Sequence, residues 1–217
     1  MPAIRDANSI GRLPKGVASP ATPELATLEK TTLAAIVAKT GLSSDSTQSV
    51  IELVKQGHAE QKRESGDPFY THPLEVAQIV LEISSDPILV QAALLHDIVE
   101  DSAISMNLLK SLFGTQITYL LGGVTHLSED IRKNKLVPEE KINLLITRGN
   151  KDPLVILLKL ADRLHNLRTL HYRPLHKQLK VSQETMAIYI PLGIHFQVPF
   201  VKEMQQICEK IVSNQDK

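Results

Sequence analysis

A chain of 217 residues is long enough to bury a core without disulfides or a structural metal, and 42% hydrophobic residues place it with globular rather than disordered sequences. Lys+Arg and Asp+Glu balance at 24 each, so no global field would hold nucleic acid or an anionic membrane, and any phosphate binding must be a local arrangement. The single cysteine, Cys208, excludes an internal disulfide. With no apolar leader and no run of about 18 apolar residues, the sequence reads as a cytoplasmic protein without a membrane span.

Residues 1–22 carry Pro2, Pro14 and Pro20 among small and polar neighbours and read as a mobile tail, with residues 23–217 as one domain. The absence of Trp and an aromatic share of only 4% favour helices over a β-rich barrel or sandwich. Helix starts recur with one chemistry: Thr22-Pro23, Asp86-Pro87 and Asp152-Pro153 each set a capping side chain before a proline at the first helical position. Helical spacing predicts amphipathic segments over Glu24–Lys39, Gln48–Arg63, Pro73–Ile83 and Pro87–Val99, and again over Lys180–Leu192 and Pro199–Val212. The charged stretch Ser128–Lys141 reads as a solvated connection or a basic flap. The expectation is an all-α fold of about ten helices in one compact bundle.

Three stretches carry chemistry. In Ala92–Asp101, AALLHDIVED, a continuous helix would stack His96 on Glu100 and Asp97 on Asp101, with Leu94, Leu95, Ile98 and Val99 as apolar flanks. A hard or borderline cation accepts imidazole and carboxylate together, so this face is a metal-site candidate, though a solvated helix end would look alike. In Leu154–Leu170, LVILLKLADRLHNLRTL, Asp162 follows an apolar run, and a buried carboxylate needs either a neighbouring Arg or a cation; the salt bridge is the simpler resolution of that stretch alone. Asn166 lies one turn further on. In Gln61–Pro73, QKRESGDPFYTHP, Gly66 and Pro68 shape a turn, Lys62 and Arg63 offer point-charge and forked donors to phosphate, and His72 stands at an expected exposed helix start with no structural need.

The segments RESGDPFYTHP, LLHDIVED, KLADRLHNLRTL and ETMAIYIPLG, in that order, resemble the hydrolase domain of the RelA/SpoT homologue family within the HD phosphohydrolase superfamily, over about Gly57–Gly193. The chain is most similar to the small, stand-alone alarmone hydrolases. The resemblance implies a compact all-α HD bundle and one divalent cation, Mn2+ in the family, on His72, His96, Asp97 and Asp162. It implies Glu100 and Asp101 as the acidic pair that orients or deprotonates water, with Lys62, Arg63, Asn166 and Tyr189 around the nucleotide. The implied reaction is metal-dependent hydrolysis of the 3′-pyrophosphate of ppGpp or pppGpp to GDP or GTP and pyrophosphate. The implied partner is a small nucleotide, with neither nucleic acid nor membrane.

Phe69 stands where many family members have tyrosine, and LGIHFQV follows Pro191 where long members continue differently. Two other readings stay open: an HD phosphohydrolase of another nucleotide, such as an adenine alarmone or a dinucleotide phosphate, and a non-catalytic alarmone sensor. His58, His126, His165, His171, His176 and His195 read as surface or capped core histidines, and Cys208 as a packed helix residue.

Overall fold

The computed structural model of the protein describes residues 22–133 and 136–214. Among the described residues the only β feature is an isolated antiparallel bridge between Lys62 and Pro68, and the all-α expectation holds. The helices pack as two compact units, one ending at Gly122 and the other beginning at Gly123.

The first unit contains α1 (Pro23–Thr40), α2 (Ser44–Gly57), α3 (Thr71–Ile83), α4 (Pro87–Leu95) and α5 (Ile98–Asp101), followed by the start of α6 (Met106–Lys133). The caps form where the sequence places them: Thr22 Oγ1 accepts from the Leu25 amide, and the Asp86 carboxylate accepts from the amides of Ile88 and Leu89. Helix α3 packs on α1 and α4. Their facing side chains, including Ile36, Leu74, Ala77, Val80, Leu89 and Ala93, are fully out of water. Polar ties lie at the edges of this core. Lys39 Nζ donates to the Leu81 carbonyl at 2.8 Å, Lys55 pairs with Glu29 at 3.0 Å, and the Tyr70 hydroxyl donates to the same Glu29 at 2.9 Å.

Two expected helices end differently. The segment predicted over Gln48–Arg63 starts earlier, at Ser44 behind the Ser43 cap, and stops at Gly57. Beyond it the backbone folds into a loop in which the Arg63 amide donates to Asp67 O, and Gly66, at φ 93°, takes the left-handed conformation a side chain would disfavour. The segment predicted over Pro87–Val99 is interrupted at His96 and Asp97, which form a turn between α4 and α5. The His96 Nδ1–H donates at 2.8 Å to the Ala93 carbonyl, the acceptor that a continued helix would offer to the Asp97 amide.

The second unit contains α7 (Pro138–Lys151), α8 (Pro153–Arg168), a 3-10 turn (Leu170–Tyr172), α9 (Leu175–Glu184), a π-helical turn (Thr185–Tyr189), α10 (Ile190–His195) and α11 (Val201–Ser213). Asp152 caps α8 by accepting from the Leu154 amide, and the apolar run behind it buries Val155, Ile156, Leu158, Leu160 and Leu164. Close approaches depend on glycine: a Cβ on Gly149 would come within 2.3 Å of the Phe196 ring and 2.6 Å of Ile156, and one on Gly193 within 2.5 Å of Val201. The helix predicted over Lys180–Leu192 is split by the π turn, where the Ile190 amide reaches back to Thr185 O. Pro191 has no amide hydrogen and its ring crowds the carbonyl four residues earlier, which a widened turn relieves.

The expected tail lies outside the described residues except for Thr22. Of the stretch Ser128–Lys141, the first part to Lys133 continues α6 and the part from Pro138 begins α7, while residues 134–135 lie outside the described residues.

Candidate metal centre

His72 sits in the first turn of α3. It is 1% exposed, so the exposed helix start expected from sequence is instead buried, because the loop before it folds over Phe69 and places the imidazole inward. The His72 amide donates to Phe69 O at 3.0 Å and the Thr71 hydroxyl to Pro68 O at 3.0 Å, which fixes the entry of the helix without a conventional cap.

The turn between α4 and α5 brings His96 and Asp97 to the same place. His72 Nε2 lies 3.2 Å from Asp97 Oδ2 and His96 Nε2 lies 3.1 Å from Asp97 Oδ1, with the two imidazoles edge to face at 5.0 Å. A carbonyl only accepts, so the contact with Ala93 O fixes the proton of His96 on Nδ1 and leaves Nε2, in the neutral ring, as a lone pair facing a carboxylate oxygen. Two acceptors at that distance repel unless a cation, a proton or a metal, lies between them. Burial alone would raise the Asp97 carboxyl, but the charges and hydrogen bonds of His96 and His72 outweigh it and hold the group well below the usual carboxylate range. Two imidazole nitrogens and a carboxylate are a donor set suited to a borderline divalent ion, so these residues fit the metal that the sequence implies.

Glu100 and Asp101 occupy the short helix α5 and are exposed. The Asp101 carboxyl is raised above its ordinary range, first by desolvation and then by the negative charge of Asp97. Of the basic loop, Lys62 is exposed, whereas Arg63 is half-buried with its guanidinium 5.6 Å over the Phe69 ring. Phe69, the departure from tyrosine, stacks against His58 at 4.8 Å and against His72 at 5.9 Å, so its ring is a packing element. His58 itself is 1% exposed and its protonated form is disfavoured, mainly by burial. The sequence reading had set it aside with the other histidines. The signal was its place just after the glycine that ends α2, where a ring is drawn under the following loop.

In the second unit, α8 carries Asp162 and Asn166 on one face. Asn166 Nδ2 donates to Asp162 Oδ1 at 2.6 Å, and Lys159 Nζ lies 3.4 Å from Oδ2. The cation beside Asp162 is therefore a lysine one turn earlier rather than the arginine expected; the adjacent Arg163 pairs with Glu184 at 3.0 Å and lies 3.9 Å over the Tyr189 ring. Tyr189 is 3% exposed beneath that guanidinium, and His165 is buried. The lone thiol, Cys208, is fully buried and its ionisation is pushed up by desolvation, which suits the packed residue expected.

Comparison with known proteins agrees with this arrangement. Residues 50–195 match the family model described as HD domain. A GTP pyrophosphokinase of Streptomyces coelicolor is 42% identical over 142 residues, covering 65% of this chain and 17% of that protein. A probable GTP pyrophosphokinase of Mycobacterium leprae is 40% identical over 155 residues, covering 71% and 20%, and the GTP pyrophosphokinase rsh of Brucella ovis is 44% identical over 139 residues, covering 64% and 18%. The chain thus spans no more than 20% of the length of these relatives. A solved structure described as a metazoan ortholog of SpoT that hydrolyzes ppGpp and plays a role in starvation responses superposes with a TM-score of 0.56 at 24% identity, covering 77% of this chain and 94% of that one. The chain belongs to the HD-domain family. Its relatives are of the RelA/SpoT type, as the four ordered motifs implied. No helix among the described residues is long and apolar enough to cross a membrane.

Proposed function

We propose that this chain is a metal-dependent pyrophosphohydrolase that removes the 3′-pyrophosphate of ppGpp or pppGpp, giving GDP or GTP and pyrophosphate, and that it acts as a small stand-alone form in the cytoplasm. The observation that carries the reading is the Asp97 carboxylate held between two histidine Nε2 atoms at 3.2 and 3.1 Å, one of them with its tautomer fixed by a backbone carbonyl. In this reading His72, His96 and Asp97, with Asp162 as fourth ligand, hold one divalent cation, Mn2+. When bound, such a cation lowers the pKa of water toward neutrality and offsets charge that develops on the phosphate oxygens.

The chain's own groups do the rest. Asp101, raised by desolvation and by Asp97, is a better base than an ordinary aspartate, and Glu100 beside it orients the same water. The water oxygen bonds to the phosphorus attached to the ribose 3′ oxygen and that P–O3′ bond breaks. The proton taken from the water passes through the acidic pair to the departing 3′ oxygen, so no covalent enzyme intermediate is needed. Lys62 and Arg63 meet the pyrophosphate with point-charge and forked donors, with Asn166 and Tyr189 on the nucleotide.

The test is a product-resolved assay on purified protein. Chromatography of a ppGpp reaction is expected to give GDP and pyrophosphate in equal amounts, chelation to stop turnover and Mn2+ to restore it. Stepwise release of phosphate would overturn the reaction class. Binding of ppGpp without any product, by wild type and Glu100→Ala alike, would establish a sensor; the retained acidic pair, which a sensor has no use for, argues against it. Faster turnover of an adenine alarmone would move the substrate class.

A further inference from the structure

Helix α5 holds both acidic residues of the proposed reaction yet is only four residues long, Ile98–Asp101. One turn cannot sustain itself, since nucleating a helix fixes several residues for a single hydrogen bond. What holds Glu100 and Asp101 must therefore come from outside the turn, and three supports are visible. Ile98 is fully buried against the end of α2, where a Cβ on Gly57 would lie 3.0 Å from its Cγ1, so only glycine allows this approach without a shift. The Ser102 hydroxyl donates to the Ile98 carbonyl at 2.5 Å. The Asp101 carbonyl, at the open end of the turn, accepts a hydrogen bond from the Gln61 side-chain amide.

That last contact fixes a chain of donors. Reversing the Gln61 amide would set its oxygen against the Asp101 carbonyl, so Nε2 faces Asp101 and Oε1 faces away. Oε1 is then the acceptor for His58, whose Nδ1 lies 2.9 Å from it, and the proton of the neutral imidazole sits on Nδ1. The His58 ring is held in turn by the Phe69 ring at 4.8 Å, and the Gln61 backbone is pinned on both sides, its amide donating to His58 O at 3.0 Å and its carbonyl accepting from Phe69 N at 2.9 Å. Both residues lie in the same unit as α5, and neither belongs to the ligands or to the acidic pair.

We infer that His58 and Gln61 are a positioning pair: the His58 Nδ1–H orients the Gln61 amide, and Gln61 caps the Asp101 carbonyl, holding the acidic turn in the attitude that hydrolysis requires. The inference rests on the proposed hydrolysis for its kinetic consequence, but the hold on α5 stands without it.

The experiment compares wild type with His58→Phe, which keeps a ring against Phe69 and removes the donor, with His58→Asn, whose amide restores a donor near the Nδ1 position, and with Gln61→Met, at a half-buried position with similar volume. In pyrophosphate release from ppGpp, His58→Phe and Gln61→Met are expected to lose about 10- to 100-fold in kcat with KM within about twofold, the size of effect that a slight misplacement of a reacting group produces. His58→Asn is expected to regain most of that loss. Hydrogen exchange read by mass spectrometry should show faster exchange over residues 98–102 in the two defective variants, and calorimetric Mn2+ affinity should stay at the wild-type value in all three. Unchanged kcat in Gln61→Met, unchanged exchange over residues 98–102, or His58→Asn as slow as His58→Phe would each overturn the pair. If wild type itself releases no pyrophosphate, the functional reading fails, and the exchange data on the same variants still decide the hold on α5. If His58→Phe does not fold, Gln61→Met alone decides it.

Discussion

The two units of the protein handle charge in opposite ways. In the first, polar groups at the turn between α4 and α5 gather around one carboxylate, Asp97, with two histidine nitrogens within 3.2 Å of it, a grouping that is stable only with a cation in it. In the second, charges compensate each other within the fold: Arg163 with Glu184 and Tyr189, Arg168 with Glu203, Lys159 with Asp162. Buried groups that need a visitor mark a site for chemistry, whereas groups that satisfy one another mark structure. Asp162 is where the distinction is sharpest, because its surroundings are those of a structural ion pair while the motif around it implies a ligand.

The largest expected effect tests the first half of that contrast. His96→Ala should lower pyrophosphate release by on the order of 10³-fold and remove Mn2+ binding in calorimetry, while the folded state survives. Near wild-type turnover would show that the Asp97 cluster is structural. Asp162→Asn should bring a comparable loss of turnover with little change in the thermal midpoint, since an amide can still hydrogen-bond to Asn166; a variant that keeps full activity would return Asp162 to the set of ion pairs.

Next in size is a packing change in the second unit. Gly149→Ala drives a methyl group into Phe196 and Ile156, and overpacking of this kind costs about 1–3 kcal/mol, read as a lower denaturation midpoint with Mn2+ affinity unchanged. Smaller again, Tyr70→Phe removes a hydrogen bond to the Glu29 carboxylate, worth about 1.5 kcal/mol. Desolvation and the Glu29 contact raise the Tyr70 hydroxyl well above its usual range, so its contribution is complete below the ordinary tyrosine value of about 10 and declines as pH rises beyond it. The difference between wild type and Tyr70→Phe should therefore narrow only in strongly alkaline denaturation.

The smallest effect is at the surface. Arg168→Ala breaks a two-pronged contact with Glu203, at 2.7 and 2.9 Å, between side chains 37% and 40% exposed, and should cost less than about 1 kcal/mol. The hydrogen bond from Arg168 lowers the Glu203 carboxyl, so the contribution is present above the ordinary glutamate value of about 4.3 and disappears as pH falls through the depressed one. Urea titrations of both proteins at neutral and at acidic pH would show whether the gap closes.

What the sequence disclosed was what is local. Thr22, Asp86 and Asp152 announce helix starts because a cap and a proline act within one turn, and all three accept the expected backbone amides. The HD pair and the ordered motifs identified the family for the same reason. What depends on distant packing stayed hidden. His72 looked exposed because nothing in its neighbourhood shows the loop closing over Phe69, and the helix through His96 looked continuous because its period gives no sign of a side chain taking a backbone acceptor. His58 and Gln61 were passed over since their meaning lies in a carbonyl forty residues away, at Asp101.

The π turn at Thr185–Tyr189 gives α9 and α10 a spare residue between them. Deleting one residue there would wind the segment back to ordinary pitch, swinging everything after it by about 100° and drawing it in by about 1.5 Å. Gly193 would then rotate away from Val201 and a bulkier neighbour would be carried into a gap with room for no side chain. A single-codon loss at this point is thus far more damaging than any substitution along the same stretch, and length, rather than identity, is what the segment must conserve.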